Sequence, residues 1–370
     1  MSSPLVLVTG GAGYLGSHVV SALTSAGYNA LVLDNLSGGN ADLVLPHAWA
    51  LVEGAYGDLP LVRALLEGSH PANPGRPVAA VVHCARERFA GAGMAAAAVL
   101  CQSSLDDMEQ LLGACVRAGE TRAGAAIPVV YASDASVYGA MREGLAPLDE
   151  QVELRPCTAA GYCHWMNEQL LLDYRAHHDL PCFILRRFCL AGADPAASLG
   201  EDHVPEQHLL PSLFEAMTGR RAVFELYGSD YPTPDGTCVR DLVHVRDVAR
   251  AHVLAVTGLL QPKGAPSLQE AYNLGTGRAV SVLEVIERAK QRTGRGLLLQ
   301  MGGRRHGDAA CLVANASAAR RDLGWRPRWS DLNSIVDTAW EWYQRRFADD
   351  PELYALAQSS GGLKLKPSSR

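Results

Sequence analysis

The run Thr9-Gly10-Gly11-Ala12-Gly13-Tyr14-Leu15-Gly16 follows an apolar stretch, Leu5–Val8, and opens a helical pattern. Glycines at 10, 13 and 16 meet three separate needs. One makes a tight turn, one lets backbone approach a pyrophosphate, and one lets helix pack close to sheet. The helix N-terminus then faces the phosphates with unpaired N–H groups and a positive dipole end. Asp34 closes the next apolar run, 18 residues after Gly16. A carboxylate there accepts both hydroxyls of an adenosine ribose, which favours NAD over a 2′-phosphorylated cofactor. A glycine triplet alone is also a plain turn, and a lone Asp is also a helix cap. Their strand–loop–helix–strand context is what makes them a dinucleotide site.

The elements that must hold these residues alternate. Leu5–Val8, Ala30–Leu33, Ala79–His83, Pro128–Ala132 and Cys182–Leu185 read as buried strands, separated by amphipathic stretches such as Ser17–Ala26 and Asp106–Ala118. That order predicts an α/β fold, a Rossmann-type doubly wound parallel sheet with right-handed crossovers. Residues 1–190 form the expected dinucleotide-binding domain. Residues 191–347 form a smaller lobe, partly interleaved with the first, with Gly/Pro/Asp-rich loops at Gly192–Val204 and Gly228–Thr237. Its helical patterns lie at Leu210–Met217, Val282–Thr293 and Leu332–Phe347. Residues 348–370 read as a mobile tail, Ser/Gly/Lys-rich at its end.

Composition limits the function. The 370 residues carry a net charge of -6, so there is no basic field for nucleic acid. No apolar run is long enough to span a membrane. Nine cysteines without a CxxC pair and without a leader segment point to a reducing, cytosolic setting. His203, His208 and His306 are expected to be too dispersed for a metal site. His83 reads as a core histidine, Trp340, Trp342 and Tyr343 as packing residues. Asp106-Asp107 reads as the start of a helix, and Ala95–Ala98 as helix former.

Taken together, several motifs resemble the UDP-galactose 4-epimerases of the extended short-chain dehydrogenase/reductase family. They are Val8–His18, Asp34-Asn35-Leu36-Ser37, Val137-Tyr138-Gly139, Ala191–Pro195 and Asp230–Asp241. Tyr272–Gly277, Arg305-His306-Gly307-Asp308 and Leu323-Gly324-Trp325 complete the set, which covers about residues 4 to 345. The resemblance implies bound NAD, a UDP-hexose substrate and inversion at sugar C4 by a Ser or Thr, a Tyr and a Lys four residues after the Tyr. It implies cofactor contacts from Gly10, Gly13, Tyr14, Leu15, Gly16, Asp34, Asn35, Ser37, Cys84, Ala85 and Arg88. On the nucleotide-sugar side it implies Cys189, His208, Leu209, Arg240, Arg305 and Asp308. It also implies a homodimer built on the helices containing Asp106–Ala118 and Gly161–Tyr174, with Trp165 and Leu170–Leu172 on the face.

The catalytic set departs from the family. Asp134 stands where the family has Ser or Thr, flanked by Ser133 and Ser136. In the ungapped register, anchored by Glu150, Leu154-Arg155-Pro156, Glu168 and Asp173-Tyr174, Ala160 replaces the Tyr and His164 the Lys. A two-residue shift would offer Tyr162 as base, but Met166 then occupies the Lys place. Neither register contains Tyr-x-x-x-Lys. The family's Arg-Tyr-Phe-Asn reads Arg186-Arg187-Phe188-Cys189, and Leu242 replaces a Tyr. Arg86 replaces a glycine near the pyrophosphate path, and the adenine-pairing acid falls at Ala55 unless Asp58 takes its place. Leu312 occupies the position that gates N-acetyl sugars in the family, and no sugar choice is read from it.

The expected function is thus an epimerase homologue that binds NAD, a UDP-sugar or both, with weak or absent catalysis. Two alternatives stand beside it. One is an active nucleotide-sugar epimerase or dehydratase using Tyr162 or His164. The other is a structural subunit of a larger assembly.

Overall fold

The computed structural model describes residues 3–86, 94–121, 124–140, 147–261, 269–305 and 307–347. Arg88, His306 and the expected tail at 348–370 lie outside the described residues. In chain order the first half runs β1 (Leu5–Thr9), α1 (Tyr14–Ser25), β2 (Asn29–Asp34), α2 (Ala41–Val44), β3 (Ala50–Glu53), α3 (Leu59–Glu67), β4 (Val78–His83), α4 (Met94–Glu120), β5 (Val129–Asp134), a short 3₁₀ turn (Ala135–Tyr138), α5 (Ala159–His178) and β6 (Cys182–Arg187). The second half runs β7 (Cys189–Ala191), α6 (Leu209–Thr218), β8 (Phe224–Tyr227), β9 (Val239–Arg240), β10 (Leu242–His244), α7 (Val245–Leu260), β11 (Ala271–Leu274), β12 (Val280–Ser281), α8 (Val282–Thr293), β13 (Leu299–Gly302), β14 (Cys311–Leu312), α9 (Ser317–Asp322) and α10 (Leu332–Arg346).

Seven strands form one parallel sheet in the order β11-β6-β5-β4-β1-β2-β3. Strands such as β1 and β6 are buried at every position. Both faces are covered by helices, so β1 and β6 up to Leu185 read as continuous apolar runs rather than alternating ones. One face packs Val19, Val20, Leu23, Val248 and Val256 against the sheet; the other packs Leu65, Leu66, Met108, Leu111 and Leu171. The strand order reverses between β1 and β4, which pair with Thr9 opposite His83. A crevice opens at such a reversal, beyond the carboxyl ends of the strands. The glycine run leaves β1 there, and Cys84-Ala85-Arg86 leaves β4.

The later elements pack α6, α8 and α10 around Leu213, Phe214, Val285, Ile286, Ile335 and Trp340. Local signals set their ends. Ser281 and Glu284 form a reciprocal capping box at the start of α8, and Gly294 closes it in the left-handed conformation. Before α8, β11 adds to the edge of the large sheet beside β6. Trp340, Trp342 and Tyr343 are buried, and His83 accepts or donates a 2.7 Å bond with Thr9 Oγ1 inside the core.

One expectation needs correction. Asp106-Asp107 does not begin a helix, because α4 already starts at Met94. The alanine-rich stretch before it propagates the helix, which runs through Ser103-Ser104 without a Gly or Pro to stop it. Asp107 instead lies against Gly57, where an added Cβ would sit 1.8 Å from its Oδ1. Burial, then the neighbouring Asp106, raises its carboxyl above the ordinary value.

Candidate functional site

The cleft at the strand reversal has a volume of about 780 Å³, within the range of small-molecule sites. Gly10, Gly13, Tyr14, Leu15 and Gly16 form one wall. Gly10 has φ of 68°, and a Cβ on it would stand 2.4 Å from the Ala85 amide nitrogen. A Cβ on Gly16 would stand 2.0 Å from the Gly10 carbonyl oxygen. Helix α1 begins after Gly13 with no side-chain cap, so its first N–H groups are left for another acceptor. Tyr14 donates a 2.5 Å bond to the Gly192 carbonyl, tying this wall to the end of β7. Burial raises the Tyr14 phenol well above its ordinary pKa, so it stays a donor.

Asp34 ends β2 at the same wall. Its Oδ2 accepts from Ala12 N at 2.9 Å and its Oδ1 from Leu36 N at 2.8 Å. Each carboxylate oxygen keeps a further acceptor site. Asn35 and Ser37 line the cleft, and Asn35 Oδ1 accepts from the Ser37 amide and hydroxyl. Cys84, Ala85 and Arg86 line it from β4. Burial pushes the Cys84 thiol up to about 12, so it stays protonated. Ala55 and Tyr56 line the cleft, whereas Asp58 caps α3 by accepting from Leu61 N. The local slip that would bring Asp58 to the cleft is absent.

Toward β5 and α5 the character changes. Asp134 ends β5 and Arg187 ends β6, directly opposite in register. Their side chains form a tight ion pair, with Arg187 9% exposed. Asp134 also accepts from Ser136 N at 2.8 Å, which starts the 3₁₀ turn. Burial alone would raise Asp134, but Arg187, then His164 and Ser136, hold it well below the usual carboxylate range. Thr158 caps α5 through the Gly161 amide and places Ala160 in the first turn, lining the cleft. His164 lines it one turn on, its Nδ1 2.8 Å from the Tyr131 hydroxyl. Burial lowers His164 to about 4, although Asp134 opposes this. The ring is therefore neutral near pH 7. Ser133 donates to Glu168, which is itself held by a buried, multiply bonded Arg186. The Ser136 hydroxyl is buried without a hydrogen-bond partner.

Tyr162 is 48% exposed and is not among the residues lining the cleft; Met166 is also exposed. Helical geometry explains this, because a residue two places from Ala160 points to another face.

On the far wall stand His203, Pro205, Gln207, His208 and Arg305. Arg305 lies over the Tyr227 ring, 3.6 Å from its centroid. Arg240 instead donates to the carbonyls of Val239 and Ala309, and stands 3.5 Å from Asp308. Cys189 and Leu242 are register partners, and both line a smaller cavity of about 70 Å³ with His208 and Leu209. Leu312 pairs with Arg240 in the short sheet. His203 and His208 are not dispersed, as expected above: their ring centroids are 5.1 Å apart. The loop folds back on itself before α6, so residues five apart meet. Burial works against the charge on His208, but Glu201 and then Glu206 raise it to about 9.

Sequence reading gave no role to Arg187, Tyr131, Glu201 or Glu206. The Asp134–Arg187 pair had a usable signal, since both residues end adjacent buried strands. The other three depend on loop and helix packing that spacing does not reveal.

Residues 6–275 match the NAD dependent epimerase/dehydratase family. A UDP-glucose 4-epimerase of Azospirillum brasilense is 39% identical over 92% of both chains. Among solved structures, the Brucella ovis UDP-glucose 4-epimerase in complex with NAD is 36% identical, covering 92% of this chain and 99% of that one, with a TM-score of 0.80. The Stenotrophomonas maltophila UDP-glucose-4-epimerase with bound NAD and formylated UDP-arabinopyranose is 33% identical over 93% and 99%, with a TM-score of 0.82.

Proposed function

The chain belongs to the NAD-dependent epimerase/dehydratase family, and from that premise we propose that it binds NAD and a UDP-hexose but is a weak or inactive UDP-glucose 4-epimerase. The adenosine half of NAD fits the residues present. The glycine wall leaves room only for backbone, the start of α1 offers its N–H groups, and Asp34 is oriented for ribose hydroxyls. When bound, NAD would supply a hydride acceptor beside the sugar ring. Arg305 on the opposite wall offers a guanidinium for a diphosphate.

The observation that carries the reading is the pairing of Asp134 with Arg187 beside Ala160. A sugar carbon that gives up its hydride must also have its hydroxyl proton taken by a positioned base, a contribution of about 10² to 10⁴ in rate. Ala160 offers no acceptor. Asp134 is held ionised but is committed to Arg187, and its low pKa makes it a feeble base. His164 is neutral but is also a weak base, with its pKa near 4. The active-enzyme alternative through Tyr162 has no support from an exposed side chain outside the cleft.

The test begins with small molecules released from purified protein by denaturant and identified by absorbance and mass. NAD is expected, together with UDP binding by calorimetry. Interconversion of UDP-glucose and UDP-galactose is expected at least a hundredfold below an ordinary turnover of about 10 s⁻¹. The combined variant Asp134→Ser, Ala160→Tyr, His164→Lys, Arg187→Tyr is expected to raise that rate. Ordinary turnover by the unaltered protein, abolished in His164→Ala, would replace this reading with the His164 alternative.

A further inference from the structure

We propose that Glu201, His203, Glu206 and His208 form a binding site for one divalent zinc-class metal ion on the wall of the cleft. All four lie within the loop between β7 and α6, and one donor atom from each lies within 4.8 Å of all the others. The individual separations carry the geometry. His203 Nδ1 is 3.2 Å from Glu201 Oε1, His208 Nδ1 is 2.8 Å from the same oxygen, and His208 Nδ1 is 3.2 Å from Glu206 Oε1. Four ligands bonded at about 2.0 Å in a tetrahedron stand about 3.3 Å apart, so little movement is required.

Two further observations point inward to an ion. His203 Nδ1 is buried and makes no hydrogen bond, although a carboxylate oxygen is 3.2 Å away. The ring nitrogen is thus close to its neighbour but not aligned with it, as a lone pair aimed at a common centre would be. The Glu201 and Glu206 side chains are 9% and 5% exposed, and both direct Oε1 at the single ring of His208. Two buried carboxylates on one imidazole leave negative charge that a divalent cation neutralises. The nearby Arg221 donates to the Glu206 carbonyl and to Glu215, not to either carboxylate of the cluster. Two imidazoles with two carboxylates suit zinc and its neighbours better than magnesium, which prefers six oxygens.

The rival account is an ion-pair network that orders the loop without metal. Glu206 Oε1 already accepts from the Gln207 and His208 amides, both at 2.7 Å. A metal on the same carboxylate would use its remaining acceptor sites.

Full-length protein is stripped with chelator, dialysed and titrated with Zn²⁺ by calorimetry, and bound metal is counted by mass spectrometry after gel filtration. One zinc per chain is expected, with a Kd below about 1 μM. His203→Gln and His203→Gln/His208→Gln are expected to weaken it at least tenfold, with thermal melts checking that both fold. His203→Gln leaves the His208 contacts with Glu201 and Glu206 in place, and the thermal melt reports any loss of loop order from removing the His203 ring. Co²⁺ in place of zinc is expected to show the visible absorption of a four-coordinate site in the unaltered protein only. Equal zinc affinity in the unaltered and doubly substituted proteins would assign the binding to other groups, such as the nine cysteines, and overturn the proposal. So would the absence of zinc binding by the unaltered protein. Neither result depends on whether the cleft turns over a sugar.

Discussion

The two ends of the cleft are built from different material. At the β1–α1 end, backbone meets backbone: Gly10 against Ala85, Gly16 against Gly10. At the β5–α5 end, side chains line the space: Ala160, His164 and Arg187, with Asp134 behind. The first end is also part of how the sheet and its first helix pack, so it cannot change without loss of fold. The second end can exchange one set of side chains for another, provided that the new set is mutually satisfied. Arg187 and Asp134 meet that condition, because they face each other from adjacent strand ends. A frame shared with epimerases is therefore compatible with a different set of side chains at the β5–α5 end, since the two rest on separate parts of the structure.

The largest expected effect tests the backbone end. In Gly16→Ala the new Cβ would lie 2.0 Å from a carbonyl oxygen that has no room to withdraw. A loss of about 3 kcal/mol in denaturant unfolding is expected, together with loss of NAD binding. A variant that unfolds like the parent would show that this end is as replaceable as the other.

The next effect tests mutual satisfaction at the side-chain end. Asp134→Ala leaves the Arg187 guanidinium buried without its partner. A destabilisation of about 3 kcal/mol is expected, since a buried charge stripped of its counterion is worse than no pair at all. Asp134→Ala/Arg187→Tyr removes both charges and is expected to cost less than Asp134→Ala alone. Denaturant midpoints across the double-mutant cycle measure it, and simple additivity would mean that the pair is not a unit.

How far the sequence revealed this contrast follows the same division. The glycine spacing and Asp34 were legible because backbone geometry restricts residue type, and five of the seven sheet strands stood out as apolar runs. Strands β3 and β11 did not, being four residues each, with β3 only half-buried. That no Tyr-x-x-x-Lys occurs is plain from the sequence itself. How the side chains at the β5–α5 end of the cleft pair with one another was not legible. That Arg187 answers Asp134 depends on strand pairing, and that His164 bonds to Tyr131 depends on how α5 lies on β5. The gathering of His203 with His208 depends on the path of an irregular loop, which has no period to read.

A smaller effect concerns protons. Burial holds His164 near pKa 4, against about 6.5 in an unfolded chain. Between those values the unfolded chain binds more protons, so stability is full above pH 6.5 and falls as the pH drops toward 4. His18, His83, His244 and His252 are depressed by burial in the same direction. Urea midpoints are therefore expected to fall from pH 7 to pH 5. His164→Gln is expected to reduce that fall by about 1–2 kcal/mol. An unchanged slope would mean that His164 is solvated and chargeable, and would return it to consideration as a working base.

The smallest expected effect is the most discriminating for the side-chain end. Tyr162 sits on α5 two residues beyond Ala160, almost half exposed and away from the cleft wall. Tyr162→Phe removes only a hydroxyl that faces water. NAD affinity, UDP affinity and any residual epimerisation are expected to stay within twofold of the parent, and stability within about 0.5 kcal/mol. A tenfold loss of turnover would place the phenol at the reacting sugar, which requires the first turn of α5 to shift by two residues. That shift would carry Ala160 and His164 out of their places beside Arg187. The reading of this end as a rebuilt ion-pair cluster would then fall with it.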